Sequence, residues 1–248
     1  MHQNVFTFDS DVSAHFTKDD LTVWNLSSSD APTLDRATIA LTHGAGNTWA
    51  LTFPGQTYSA VPDGNYETII EKEGIAGLTD DHVLPFWFYS ADFNRDRKVD
   101  LADFSILASH FNTNQTYSGG DTTYDGLANI GDFAIMAAKF NMSLNPPPTA
   151  MNELTLSGMA DPVTLDPFIR LTWTPPAQTD PPRDGFRIWR STDGVNFGAT
   201  YQQLADPNAT SFDDTTLAEG THYWYRVRAY STVSGNAHTT PKRDMITP

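Results

Sequence analysis

Between residues 91 and 141 the chain repeats itself, with an offset of 29 positions. Asp92, Asp96, Asp103, Phe104, Ile106, Ala108, Phe111 and Asn112 match Asp121, Asp125, Asp132, Phe133, Ile135, Ala137, Phe140 and Asn141. Eight identities in a 22-residue alignment, all acidic, apolar or turn-forming, point to a duplicated unit. Each copy closes on an apolar series at helical spacing. The series is Leu101, Phe104, Leu107, Ala108 and Phe111, then Ile130, Phe133, Met136, Ala137 and Phe140. One short helix per copy follows from this.

An acidic loop precedes each helix. Counting Asp92 as position 1, side-chain oxygens fall at positions 1, 3, 5, 9 and 12: Asp92, Asn94, Asp96, Asp100 and Asp103. Position 7, Lys98, offers its main-chain carbonyl. The second loop has the same frame, with Asp121, Thr123, Asp125, Leu127 by its carbonyl, Asn129 and Asp132. This is the ligand spacing of an EF-hand calcium loop. Calcium takes six to eight hard oxygens at about 2.3–2.6 Å, and four carboxylates in twelve residues repel one another without a cation. The plainer reading is two acidic turns that cap two helices, because aspartate suits both jobs. The spacing recurs twice and each loop leads into a helix, which favours the ligand reading. Two departures stand out. Arg97 occupies the position where a glycine eases the turn, at a cost of about 1 kcal/mol. Aspartate rather than glutamate ends both loops, so closure comes from a shorter arm.

The flanks have a different grammar. Residues 1–90 alternate apolar and polar side chains with period two. Val5–Phe8, Leu21–Trp24, Ala37–Leu41, Thr48–Phe53, Asn65–Ile70 and Leu84–Phe88 each read as a strand, with Trp49, Leu51 and Phe53 on one face. Six short strands are one fewer than a seven-stranded β-sandwich needs, so a leading strand is expected to be missing. Residues 144–152 contain three consecutive prolines and read as a semi-stiff linker. Residues 153–248 return to strands. Ile169, Leu171 and Trp173 alternate with polar residues. Tyr223, Tyr225, Val227 and Ala229 point one way, and Trp224, Arg226, Arg228 and Tyr230 the other. This is a second sandwich, and the Trp224–Tyr230 ladder is expected on its outer, exposed face.

Charge and composition narrow the function. Thirty acidic residues against 15 basic give a net charge of −15, which repels nucleic acid and anionic membranes. No apolar run is long enough to cross a membrane. The absence of cysteine removes disulfides, zinc–thiolate sites and cysteine nucleophiles. Met1-His2-Gln3-Asn4 has no apolar segment of a signal peptide, so a secretion signal is expected outside this chain. Seven histidines, at 2, 15, 43, 82, 110, 222 and 238, are scattered, and HExxH, GxSxG and Walker A motifs are absent. Sequons at Asn25, Asn114, Asn141 and Asn208 are weak evidence of glycosylation in a chain this rich in Ser, Thr and Asn.

Two loops of this form, each followed by one helix, resemble a type I dockerin domain. The resemblance implies two structural calcium ions and docking onto a cohesin partner. In that family, cohesin is read by polar residues at loop positions 10 and 11 and by a basic pair further along the helix. Here those positions hold Leu101-Ala102, Ile130-Gly131, Ala108-Ser109 and Ala137-Ala138. The polar recognition surface is therefore missing, and the apolar replacements suggest packing against a neighbouring domain or subunit. Residues 1–90, through Val61–Tyr66 and the direct run into Ala91-Asp92, resemble the Ig-like sandwich that precedes such repeats in large secreted proteins of planctomycete-type bacteria. Residues 153–248 resemble a fibronectin type III domain, through Trp173, Leu217 and the Tyr223 that opens Tyr-Trp-Tyr-Arg-Val-Arg-Ala.

The expected architecture is mainly β: an Ig-like sandwich (1–90), a small α calcium module (91–143), a proline-rich linker (144–152) and a fibronectin type III sandwich (153–248). The expected function is a non-catalytic accessory, anchoring or spacer region of a secreted or cell-surface protein that binds two calcium ions. A protein partner or self-association is expected, and carbohydrate binding by the Trp224–Tyr230 ladder is an option. The alternative is a filament or surface-layer subunit assembled by strand complementation.

Overall fold

A computed structural model of the chain describes residues 2–28, 33–72, 75, 77–150, 153–160, 162–164, 166–177, 182–194, 196–237 and 243–246. Met1, His238 and the end of the proline-rich segment, Met151-Asn152, lie outside the described residues. The fold is mainly β and separates into two compact units. One comprises Met1–Asp19, Asp35–Gly64 and Trp87–Asn145, the other Asp20–Leu34, Asn65–Phe86 and Pro146–Pro248.

Residues 1–90 form six strands among the described residues: β1 Gln3–Thr7, β2 Leu21–Asn25, β3 Ala40–His43, β4 Thr48–Thr52, β5 Gly64–Ile70 and β6 His82–Phe88. They make two sheets, ordered β1-β4-β3 and β2-β5-β6. Trp49, Leu51 and Phe53 share a buried face, as the alternation requires. Phe16 sits edge-on to Phe6 and Trp49, with ring centroids 6.4 and 5.2 Å away. The strand expected at Ala37–Leu41 begins late, at Ala40. Asp35 accepts the Ala37 N–H and opens a 3-10 turn over Arg36–Thr38, so a local side-chain bond outcompetes the ladder there.

The duplicated segment folds as β7 Lys98–Val99, α1 Leu101–Ser109, β8 Thr113–Asn114, β9 Leu127–Ala128, α2 Ile130–Lys139 and β10 Met142–Ser143. Its pairings obey the 29-residue offset. Met142 pairs with Val99, and Thr113 with Ala128. The Asn141 N–H donates to Val99 O at 2.8 Å, and its mate, the Asn112 N–H, to Ala128 O at 2.7 Å. Each helix therefore ends beside the start of the other. The two run antiparallel about a pseudo-twofold axis, where Phe104 meets Phe133 with ring centroids 6.4 Å apart.

The remaining strands are β11 Leu154–Ala160, β12 Pro167–Trp173, β13 Gly185–Ser191, β14 Gln202–Leu204, β15 Ser211–Asp214, β16 His222–Ser231, β17 Gly235–Asn236 and β18 Arg243–Ile246. A three-stranded sheet, β11-β12-β15, faces a second sheet, β14-β13-β16-β17, in which β18 also pairs with β16. Leu154, Ile169, Leu171 and Trp173 pack against Phe186, Ile188, Tyr223, Tyr225, Val227 and Ala229 between them. The Tyr223 hydroxyl accepts the Ala218 N–H at 3.1 Å, the tyrosine corner of such sandwiches.

The outer face of this sandwich corrects an expectation. Trp224, Arg226, Arg228 and Tyr230 do point away from the core, but Arg226 is 1% exposed, Arg228 0% and Tyr230 3%. The sheet β2-β5-β6 lies over them as a third layer of the same unit. Trp24 and Leu26 from β2 and its end, and Ile69 from β5, cluster with Trp189 and Phe197. Trp24 meets Trp189 edge-on at 5.6 Å. Charge crosses the layer as well. Glu67 pairs with Arg228 at 2.7 Å, while Arg226 lies 3.2 Å from Glu71 and 3.5 Å from Asp81. Gly235 (φ 87°) is required here, because a Cβ would fall 2.2 Å from Leu26 O. With Arg226, Arg228 and Tyr230 buried and Trp224 half-buried, the ladder offers no continuous face for sugar stacking.

Candidate metal centre

The two acidic loops have one backbone written twice. Left-handed φ values recur at matched positions: Ala91 and Gly120 (67° and 112°), Arg95 and Tyr124 (60° and 55°), Arg97 and Gly126 (70° and 92°), Asn112 and Asn141 (61° each). Only glycine adopts this region freely, so six non-glycine residues are held there by their surroundings. Arg97 shows one means. Its guanidinium stacks 4.2 Å from the Trp87 ring centroid, an interaction that offsets the left-handed backbone. Tyr117 supports both loops from below. Its hydroxyl donates to Tyr89 O, and its ring stacks on Tyr124 at 5.7 Å and meets Phe93 at 5.6 Å.

Within loop one, the Asp92 carboxylate accepts the N–H groups of Asp96 and Arg97 at 3.0 and 2.9 Å. Asn94 Oδ1 accepts the Asp96 N–H, and Asp96 Oδ1 accepts the Lys98 N–H. Asp103 reaches back to the N–H groups of Phe93, Asn94 and Asp100. Loop two repeats these bonds apart from the one to Asn94, whose place Thr123 takes. Asp121 accepts from Asp125 and Gly126, Asp125 accepts from Leu127, and Asp132 accepts from Thr122, Thr123 and Asn129. Thr123 adds a hydroxyl bond to Asp132 at 3.2 Å.

The last acid of each loop is also part of a capping box, Asp100 with Asp103 and Asn129 with Asp132. Capping thus accounts for positions 9 and 12. It does not account for Asp92, Asn94, Asp96 and Asp121, whose side chains cap neither helix, whereas Thr123 bonds Asp132 and Asp125 accepts from the Asn129 amide at 3.3 Å.

Asp92, Asp103, Asp121 and Asp132 are all buried, at 0–3% exposure. Burial raises the Asp92 carboxyl above its usual range, and the charges of Asp103 and Asp96 add to this against the loop N–H bonds. Asp121 is raised in the same way, by burial first and then by Asp132 and Asp125. As arranged, no three Asp, Glu or His side chains among the described residues are gathered closely enough to hold a metal. The carboxylates are turned to their own loop's N–H groups instead. The donor chemistry still fits a hard divalent cation: oxygen only, acid-rich, buried and repelling.

A carboxyl raised by folding stabilises the fold below its unfolded value and loses that contribution as pH rises through its raised folded value. Without divalent cation, acidification toward 3.8 should therefore stabilise the repeat. The second sandwich should respond oppositely. Despite its burial, Asp214 is held below its usual range by bonds from the Thr216 N–H, Tyr201, Arg190 and Tyr225. Helical circular dichroism follows the repeat, and the fluorescence of a Trp87→Phe variant follows the sheets, because Trp87 stacks on loop one and the other five tryptophans lie outside residues 87–145. Melting both signals in chelator across pH tests this, and transitions that move together would contradict it.

The helices themselves bury little of their apolar surface. Of the apolar series, only Leu107 and Met136 enter the core. Leu101, Phe104, Phe111, Ile130, Phe133 and Phe140 are exposed. Sequence reading also missed the Arg97–Trp87 stack and the Glu67–Arg228 pair. The signal for the second was present: Glu67 lies within a strand, Gly64–Ile70, that is buried on both faces.

No protein-family model matches the chain, and no curated protein matches it. Solved structures do. An Fn3-like protein from Clostridium thermocellum is 24% identical over 43% of this chain and 96% of its own, with a TM-score of 0.31. The fn3 domain of human contactin 1 is 16% identical over 42% and 82%, with a TM-score of 0.35. The FN5 domain of Drosophila Lar is 17% identical over 42% and 98%, with a TM-score of 0.31.

Proposed function

We propose that this chain is a non-catalytic, calcium-binding modular segment of a secreted or cell-surface protein, serving as spacer or anchor between other parts. One observation carries the reading. The two acidic loops share a backbone with left-handed residues at the same positions, and each presents the same six oxygen positions. Asp92, Asn94, Asp96, the Lys98 carbonyl, Asp100 and Asp103 would hold one ion. Asp121, Thr123, Asp125, the Leu127 carbonyl, Asn129 and Asp132 would hold the other. A bound calcium ion supplies positive charge that the buried carboxylates otherwise lack. The chain's own part is to fix the loop: Asp92 and Asp121 tie position 1 to positions 5 and 6, and Asp103 and Asp132 tie the helix back to the loop entrance. Loop one has four carboxylates against three in loop two, which favours the tighter site in loop one, while Gly126 gives loop two the easier turn.

Titration calorimetry on the chelator-treated chain should find two calcium sites, with magnesium held more weakly. Asp103→Ala should remove one site and Asp132→Ala the other. Fewer than two sites in the unaltered chain would overturn the reading, as would steady hydrolysis of glycans, esters or peptides by the pure protein.

A further inference from the structure

On α1, Leu101, Phe104 and Ala108 stand at i, i+3 and i+7 and form one stripe, with Phe111 just beyond the helix end. On α2, Ile130, Phe133 and Ala137 form its twin, with Phe140 at the C-cap, and all eight residues are exposed. The two stripes join where Phe104 meets Phe133, so the apolar surface is continuous across the pseudo-twofold axis. Its outer ends are the most open, with Leu101 66% and Ile130 68% exposed. Soluble chains seldom leave such a patch uncovered.

We propose that this face pairs with the same face of a second copy of the chain, bringing four helices together. Two observations select that occupant. The first is charge. The chain carries −15, so copies repel over most of their surface. The helices carry no exposed acid: Asp103 and Asp132 are 0% exposed, and Lys139 is held by Asp63. This face is where two such chains can approach. The second is symmetry. A twofold interface joins a patch to itself, and a patch with its own internal twofold presents each helix with an antiparallel apolar partner. The stripe residues are not the candidate ion ligands, so the pairing stands apart from the calcium reading.

Sedimentation equilibrium of the full chain in calcium, over roughly a thousandfold range of concentration, tests the pairing. The unaltered chain should be dimeric. Leu101→Glu with Ile130→Glu should weaken association by about a hundredfold, with helical circular dichroism retained because acids suit a first helical turn. Ala108→Lys with Ala137→Lys should do the same from mid-stripe. Val233→Glu, at an exposed turn of the sandwich, should leave the dimer intact. A monomer throughout would overturn the proposal and leave the face to a different protein. A dimer that survives both double variants would also overturn it.

Discussion

Glu67→Ala should destabilise the chain by about 3–5 kcal/mol, read by urea unfolding followed through tryptophan fluorescence. Arg228 is fully buried and its carboxylate partner is Glu67, at 2.7 Å. Burial pulls the guanidinium down to about 10, which still leaves it charged at neutral pH. Without Glu67 that charge would be uncompensated. The ring of Trp24, 4.1 Å away, and that of Trp189, 5.4 Å away, would remain, but cation–π contacts contribute only about 1–2 kcal/mol. Glu67→Leu with Arg228→Met should recover most of the loss, because a well-packed apolar pair replaces a buried ion pair at little cost. If Glu67→Ala costs less than about 1 kcal/mol, the buried pair is not what holds this layer.

The second large effect belongs to Asp103. Its carboxylate accepts three main-chain N–H groups, from Phe93, Asn94 and Asp100, and it completes the capping box of α1. Asp103→Ala strands those donors, at about 1–3 kcal/mol for each one that stays buried. It should also abolish calcium stabilisation at loop one. At free calcium about a thousand times the dissociation constant, each ion adds about 4 kcal/mol by mass action. The rest of the repeat's stability comes from a small core, in which Leu107 and Met136 of the helices join Phe93, Val99, Tyr117 and Ala128. Scanning calorimetry should show the repeat's transition falling while the sandwich transition stays in place. Asp103→Asn separates the two terms. Its amide oxygen can keep part of the bonding to the N–H groups while the charge is lost, so its calcium-dependent shift should fall more than its stability in chelator.

Local chemistry made much of this readable from the residues alone. The 29-residue offset reappears in the φ values, the strand pairings and the carboxylate bonds, because each copy closes its loop with its own side chains. Period-two alternation placed Tyr223, Tyr225, Val227 and Ala229 on one face and Arg226 and Arg228 on the other, because the pleat leaves no choice. Alternation separates faces without saying what covers them, and that question was left to tertiary structure. The ladder expected to face solvent lies under β2-β5-β6, where Glu67, Glu71 and Asp81 meet its arginines from more than 140 residues away in sequence. The apolar stripes of the helices are exposed, because two antiparallel helices of nine and ten residues bury only Leu107 and Met136 of their apolar series. Periodicity reports where apolar groups stand along one element. Burial depends on which other elements the chain brings against it, and those lie beyond the reach of any local pattern.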